Sequence, residues 1–94
     1  MQIRKGKYDD GEIVYTITGD YVRKGKWDDG EILYNIRGNQ LHQGSYYHPP
    51  AAYTITDNLI RKGQYDDGEV LYSIHGNHVC KGRYYGDIVY TITY

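Results

Sequence analysis

The chain has 94 residues with 11 basic and 12 acidic side chains, a formal net charge of -1, so it is one domain long and carries no basic excess for nucleic acid or anionic lipid. No apolar run approaches the roughly 18 residues of a membrane span and no basic-then-apolar leader opens the chain, so neither a transmembrane helix nor a signal peptide is expected. The lone cysteine, Cys80, has no internal partner, which fits a reducing, cytoplasmic setting.

Ile3, Val22, Leu41, Ile60 and Val79 each open a copy of one phrase, 19 residues apart. The copies run 3–21, 22–40, 41–59, 60–78 and 79–94, the last one residue short in its turn. Such a period marks a radial or solenoid architecture built from one small unit. In chain order, each copy begins with a short strand such as Ile3-Arg4-Lys5, which ends at a glycine present every time: Gly6, Gly25, Gly44, Gly63 and Gly82. Two residues later stands an aromatic: Tyr8, Trp27, Tyr46, Tyr65 or Tyr84. Asp10-Gly11, Asp29-Gly30 and Asp67-Gly68 then read as tight turns that tolerate positive φ.

A second strand follows. Residues 12–18 are β-branched and aromatic, and Tyr15 and Ile17 recur as Tyr34, Tyr53, Tyr72, Tyr90 and as Ile36, Ile55, Ile74, Ile92. Gly19-Asp20, Gly38-Asn39, Asp57-Asn58 and Gly76-Asn77 read as two-residue hairpin loops. Glycine every few residues and the lack of a 3.6-residue period argue against helix. Each copy is therefore two short strands.

A two-residue loop at Gly19-Asp20 fixes the register. Ile17 faces Val22 and Tyr15 faces Lys24, repeated as Ile36–Leu41, Ile55–Ile60 and Ile74–Val79, and as Tyr34–Gln43, Tyr53–Lys62 and Tyr72–Lys81. The aliphatic pairs are the expected core contact, at about 1.5–3 kcal/mol for each side chain fully buried. Thirteen Tyr and no Phe suit a thin fold, because a half-buried tyrosine keeps its hydroxyl in water.

The first strand lacks a preceding partner and the last, Ile88 to Tyr94, lacks a following one. Pairing them, with Ile92 facing Ile3, removes both open edges. The expectation is an all-β ring of five tandem hairpins with five-fold pseudosymmetry, closed by its terminal strands around an axis lined by the repeated isoleucines. An open single-layer ribbon is the alternative. Phrases such as Ile60-Arg61-Lys62-Gly63 and Gly30-Glu31-Ile32-Leu33-Tyr34 resemble small bacterial proteins described as five-fold β-flowers. That resemblance covers nearly the whole chain and implies a fold, with no activity and no functional residue attached.

Several groups bear on chemistry. The acidic turns around Asp9-Asp10, Asp28-Asp29 and Asp66-Asp67 lack the spacing of a Ca²⁺ loop and read as turn formers whose glutamates pair with nearby Lys or Arg. His75, His78 and Cys80 share one face of a hairpin, a minor candidate for Zn²⁺ or Cu, but the equivalent Thr18, Tyr21 and Arg23 read as ordinary surface. No metal or other cofactor is expected. The series Tyr8, Trp27, Tyr46, Tyr65 and Tyr84, flanked by Lys, Asp and Glu in three copies, suits stacking against sugar rings and reads as the ligand-binding set. In the third copy Tyr47, His48, Pro49 and Pro50 replace the charged turn by a stiff neutral loop, which reads as a protein-interaction surface. No Ser/His/Asp or Cys/His arrangement and no nucleotide-binding glycine loop can be assembled. The expected function is a non-enzymatic binding module, multivalent for carbohydrate, or alternatively a structural or protein-interaction module. Nucleic acid and membrane are not expected partners, and self-association is left open.

Overall fold

The computed structural model describes residues 1–94 and contains ten strands and no helix. They are β1 Gln2–Lys5, β2 Ile13–Thr18, β3 Tyr21–Lys24, β4 Ile32–Arg37, β5 Gln40–Gln43, β6 Tyr53–Thr56, β7 Leu59–Lys62, β8 Val70–His75, β9 His78–Lys81 and β10 Ile88–Thr93. Every strand pairs antiparallel with its sequence neighbours, and β1 pairs β10 with Ile3 opposite Ile92, so the sheet is a closed barrel and the open ribbon does not form. Closure leaves no unpaired edge. The molecule measures 35 × 33 × 14 Å, a flat disc.

Turn chemistry sets the strand lengths. The two-residue loops fall where their composition places them, with φ of 56° at Gly19, 60° at Gly38, 62° at Gly76, and 53° and 63° at Asp57 and Asn58. Each loop also joins its hairpin to the next, since the Ile36, Ile55, Ile74 and Ile92 amides donate to Asp20, Asn39, Asn58 and Asn77. The Asp-Gly turns differ from expectation. Gly11, Gly30 and Gly68 have ordinary φ, and what excludes a side chain there is the carbonyl of Lys5, Lys24 or Lys62. Positive φ is instead required at the repeated Gly6, Gly25, Gly44, Gly63 and Gly82, at 79–86°.

The hairpin register is as read from the sequence: Ile17–Val22 and Tyr15–Lys24, with their equivalents in β4–β5, β6–β7 and β8–β9. Closure adds Tyr90–Lys5. Between hairpins the register slips by one residue at Val14, Leu33, Leu71 and Val89, a bulge that bends the sheet towards closure. Burial departs from the expected pattern. Val22 and Val79 are buried, but Ile17, Ile36, Ile55, Ile74 and Ile92 are only half-buried. The deepest side chains are polar ones on the opposite face, namely Thr16, Asn35, Thr54, Ser73, Thr91 and His42, together with Cys80. A disc this thin has no apolar interior to speak of; its most enclosed positions lie beneath the long loops.

Candidate functional site

Those long loops follow β1, β3, β5, β7 and β9, and in the loops after β1, β3 and β7 two side chains on the covered strands hold them. Thr91, Thr16 and Thr54 hydroxyls donate to the carbonyls of Gly6, Gly25 and Gly63 at 2.7 Å each. Directly opposite in register, Arg4, Arg23 and Arg61 donate Nη1 to the carbonyls of Gly11, Gly30 and Gly68 at 2.8–2.9 Å. The guanidinium thus clamps the turn through a carbonyl, not through the turn carboxylates that the sequence suggested.

The loops so held project the aromatic series outward. Tyr8, Trp27, Tyr46, Tyr65 and Tyr84 are 64–77% exposed, so none is consumed in covering the core. The Lys7 and Lys26 ammoniums sit 5.5 and 5.2 Å from the Tyr8 and Trp27 ring centres. Trp27 overlooks two open clefts. One is lined by Arg4, Gly11, Glu12, Ile13 and Lys26, the other by Gln2, Lys26, Asp28 and Asp29. An apolar indole face therefore stands beside both donors and acceptors, the combination that a sugar ring requires.

The opposite face gathers a second set of aromatics. Ring centres of Tyr15 and Tyr90 are 6.2 Å apart, of Tyr72 and Tyr90 6.3 Å, and of Tyr34 and Tyr53 5.7 Å. Burial, the neighbouring hydroxyl of Tyr53 and the nearness of Tyr15 raise the phenol of Tyr34 above its ordinary 10.0. Burial, Tyr15, Tyr72 and Tyr53 do the same for Tyr90. The repeated tyrosines, one per hairpin, thus converge on a circle much narrower than the 33–35 Å disc.

A closed ring of antiparallel hairpins with a repeated centre has a counterpart among known proteins. The family described as "6-fold beta flower protein" matches residues 2–94. This chain belongs to the β-flower family. Neither a search of curated proteins nor one of solved structures returns a match.

Within this flower the third copy and the fifth depart from the clamp. His42 and Cys80 stand where the others have arginine, and both are buried, so these are not the surface positions that Arg23 suggested. Around His42 the Asn35 amide donates to the carbonyls of His42, Gly44 and Tyr46, and His42 Nδ1 lies 3.1 Å from the His48 carbonyl. Tyr47, 55% exposed, packs at a tilt with its ring centre 4.7 Å from that of His42 and 5.4 Å from the Arg37 guanidinium. His48, Pro49 and Pro50 are exposed, while Ala51 behind them is buried. His75 and His78 are cross-strand neighbours as the hairpin loop demands. Yet His75 Nε2 is engaged with Ser73 Oγ at 2.8 Å, Cys80 is wholly enclosed, and no three His, Cys, Asp or Glu side chains are arranged to hold a metal ion. The sequence missed the loop clamp because nothing local marks it. The invariant tyrosines were visible as a repeat, but their convergence follows only from closure.

Proposed function

We propose that this β-flower is a non-enzymatic binding module of five petals, working without a cofactor in the cytoplasm and binding carbohydrate through its repeated rim aromatics. The count of five rests on the 19-residue spacing of Ile3, Val22, Leu41, Ile60 and Val79 and on the ten strands of the ring. The observation that carries the ligand reading is exposure: five rings at 64–77% accessibility, one per long loop, are too costly a display to serve packing. Weak sites spaced around one rigid disc reinforce one another, by about 10²–10⁴-fold where a branched or polymeric glycan reaches several.

Trp27 makes the test direct. Its fluorescence should change on titration with neutral mono- and oligosaccharides, and Trp27→Ala should weaken binding while leaving the thermal midpoint in place, since the side chain is 65% exposed. A full sugar panel that leaves wild-type fluorescence, calorimetry and thermal midpoint unmoved would end this reading. The exposed, uncharged run Tyr46 to Pro50 favours a second one, a protein-docking surface on the third copy. Replacing Tyr47–Pro50 by the residues Asp9–Glu12 would abolish that docking and leave sugar binding intact.

A further inference from the structure

The tyrosine circle lies on the face opposite the loop clamps and takes no part in the proposed rim sites. Tyr15, Tyr34, Tyr53, Tyr72 and Tyr90 occupy equivalent register positions, and their ring centres stand 5.7–6.3 Å apart where neighbours meet. The side-chain hydrogen bonds to backbone and to other side chains are made by Arg, Asn, Gln, Thr, Ser and His; no tyrosine hydroxyl reaches a carbonyl or carboxylate. Nor is any of these hydroxyls sealed from solvent, since the enclosed orphan atoms belong to Arg23, Arg61 and His42 alone. Five donors therefore converge with nothing but each other and water to serve.

Lysines are their cross-strand partners in four of the five hairpins. Lys5, Lys24, Lys62 and Lys81 directly face Tyr90, Tyr15, Tyr53 and Tyr72 across their hairpins, and all four are exposed. In the third copy Gln43 faces Tyr34. Carboxylates are close by as well: Glu12 and Glu31 line one cleft with Tyr15 and Lys24. The amides of the same lysines bond the carbonyls of Glu12, Glu31, Glu69 and Asp87 at 2.8–2.9 Å. Four acidic residues matched to four lysines keep the whole crown near neutral, so the ligand is small and singly or doubly charged, not a polyanion.

We infer that this ring of five hydroxyls with its lysine lip binds a small oxyanion, a phosphate or sulfate group, either free or carried on a small molecule. An anion is favoured over a cation because the residue directly opposite the tyrosine is a lysine in four hairpins and the neutral Gln43 in the other. Phenols held neutral at physiological pH donate well to an anion, and hydrogen bonds to a charged partner are the stronger kind.

Calorimetry of the intact chain with inorganic phosphate, inorganic sulfate, glucose and glucose 6-phosphate tests it. Binding of phosphate or sulfate is expected, and the glucose 6-phosphate arm tells a free anion from a carried one. The double variant Tyr34→Phe/Tyr90→Phe, which keeps the rings, should bind roughly tenfold more weakly or worse. Lys24→Gln/Lys62→Gln should also weaken binding, and it should fold, since Gln43 already fills this position once. A bound anion should move the phenolate absorbance titration to higher pH, whereas a bound cation would move it lower. Trp27→Ala should bind phosphate as wild type does, which separates this site from the rim. The inference is overturned by no binding of any oxyanion, by binding that both double variants retain in full, by a downward titration shift, or by phosphate binding lost in Trp27→Ala.

Discussion

In the loops that follow β1, β3 and β7 an arginine reaches up from the sheet and takes the carbonyl of an Asp-Asp-Gly turn; in those that follow β5 and β9 a tyrosine leans down from the loop instead. The two solutions differ at every linked position. Thr opposite Arg becomes Asn opposite His in β4–β5 and Ser opposite Cys in β8–β9. Where the second turn residue is Tyr47 or Tyr85, the preceding hairpin supplies a ring or guanidinium to pack against it, Arg37 beneath Tyr47 and His75 at 5.5 Å from Tyr85. Elsewhere those two slots hold Asp and Thr. The unit of variation in this fold is therefore one hairpin and the loop that follows it, with the strand-pair residues, the end of the first strand and the loop changing together. A long arm needs a carbonyl within reach, and a loop without the arm needs another cover.

The strongest way to break that comparison is to mix the two solutions. Cys80→Arg puts a guanidinium into a fully enclosed site whose loop lacks the Asp-Asp-Gly carbonyl. Its expected cost is about 3–5 kcal/mol, that of a buried charge without a partner. Grafting Lys7–Glu12 in place of Arg83–Asp87, with Ser73→Thr, should recover most of it in urea unfolding. If Cys80→Arg alone is harmless, or the graft gives no recovery, the positions are not coupled. A smaller change sharpens the same point from the other side. Arg23→Ala leaves the Gly30 carbonyl without its donor and should cost about 1–3 kcal/mol. Cys80→Ala, which strips no hydrogen bond, should stay near about 1 kcal/mol or below.

Much of this ring was legible in the residues, for a physical reason. A two-residue Gly-Asp or Gly-Asn loop fixes which residues face one another, so Ile17–Val22 and Tyr15–Lys24 followed from turn chemistry alone, and orphan first and last strands required each other. The rim aromatics were also visible, as one exposed ring per loop. What stayed hidden depends on a loop folding back over a sheet. Arg23 and Cys80 alternate with Val22 and Val79 like any outward-facing residue, and nothing short of the loop's path shows that they lie beneath it. The same gap misplaced the role of Gly11, whose ordinary φ and missing side chain answer to the Lys5 carbonyl across the turn.

The smallest effect expected bears on whether the two faces of the ring communicate. Tyr34 stands beside the Asn35–His42 pair and Tyr90 beside Thr91–Arg4, so one belongs to each kind of hairpin. Both phenols are raised above 10.0 by burial first and then by neighbouring tyrosines. Well below pH 10 each is neutral whether folded or unfolded and stability does not depend on it. Above that pH the unfolded chain releases protons that the folded ring still holds, so stability falls as pH rises, by at most about 1.4 kcal/mol per pH unit for each such group. Tyr34→Phe and Tyr90→Phe should each flatten this alkaline limb, by similar amounts, with little change at neutral pH. Similar amounts are the informative result, because the tyrosine is the same in every copy while its partner, Gln43 or Lys5, and the outer face both differ between these two hairpins. A limb that responds to one variant and not the other, and stays so in a Gln43→Lys background that removes the difference on the ring face, would mean that the clamp or the contact on the outer face is felt at the ring, and that the two faces vary as one.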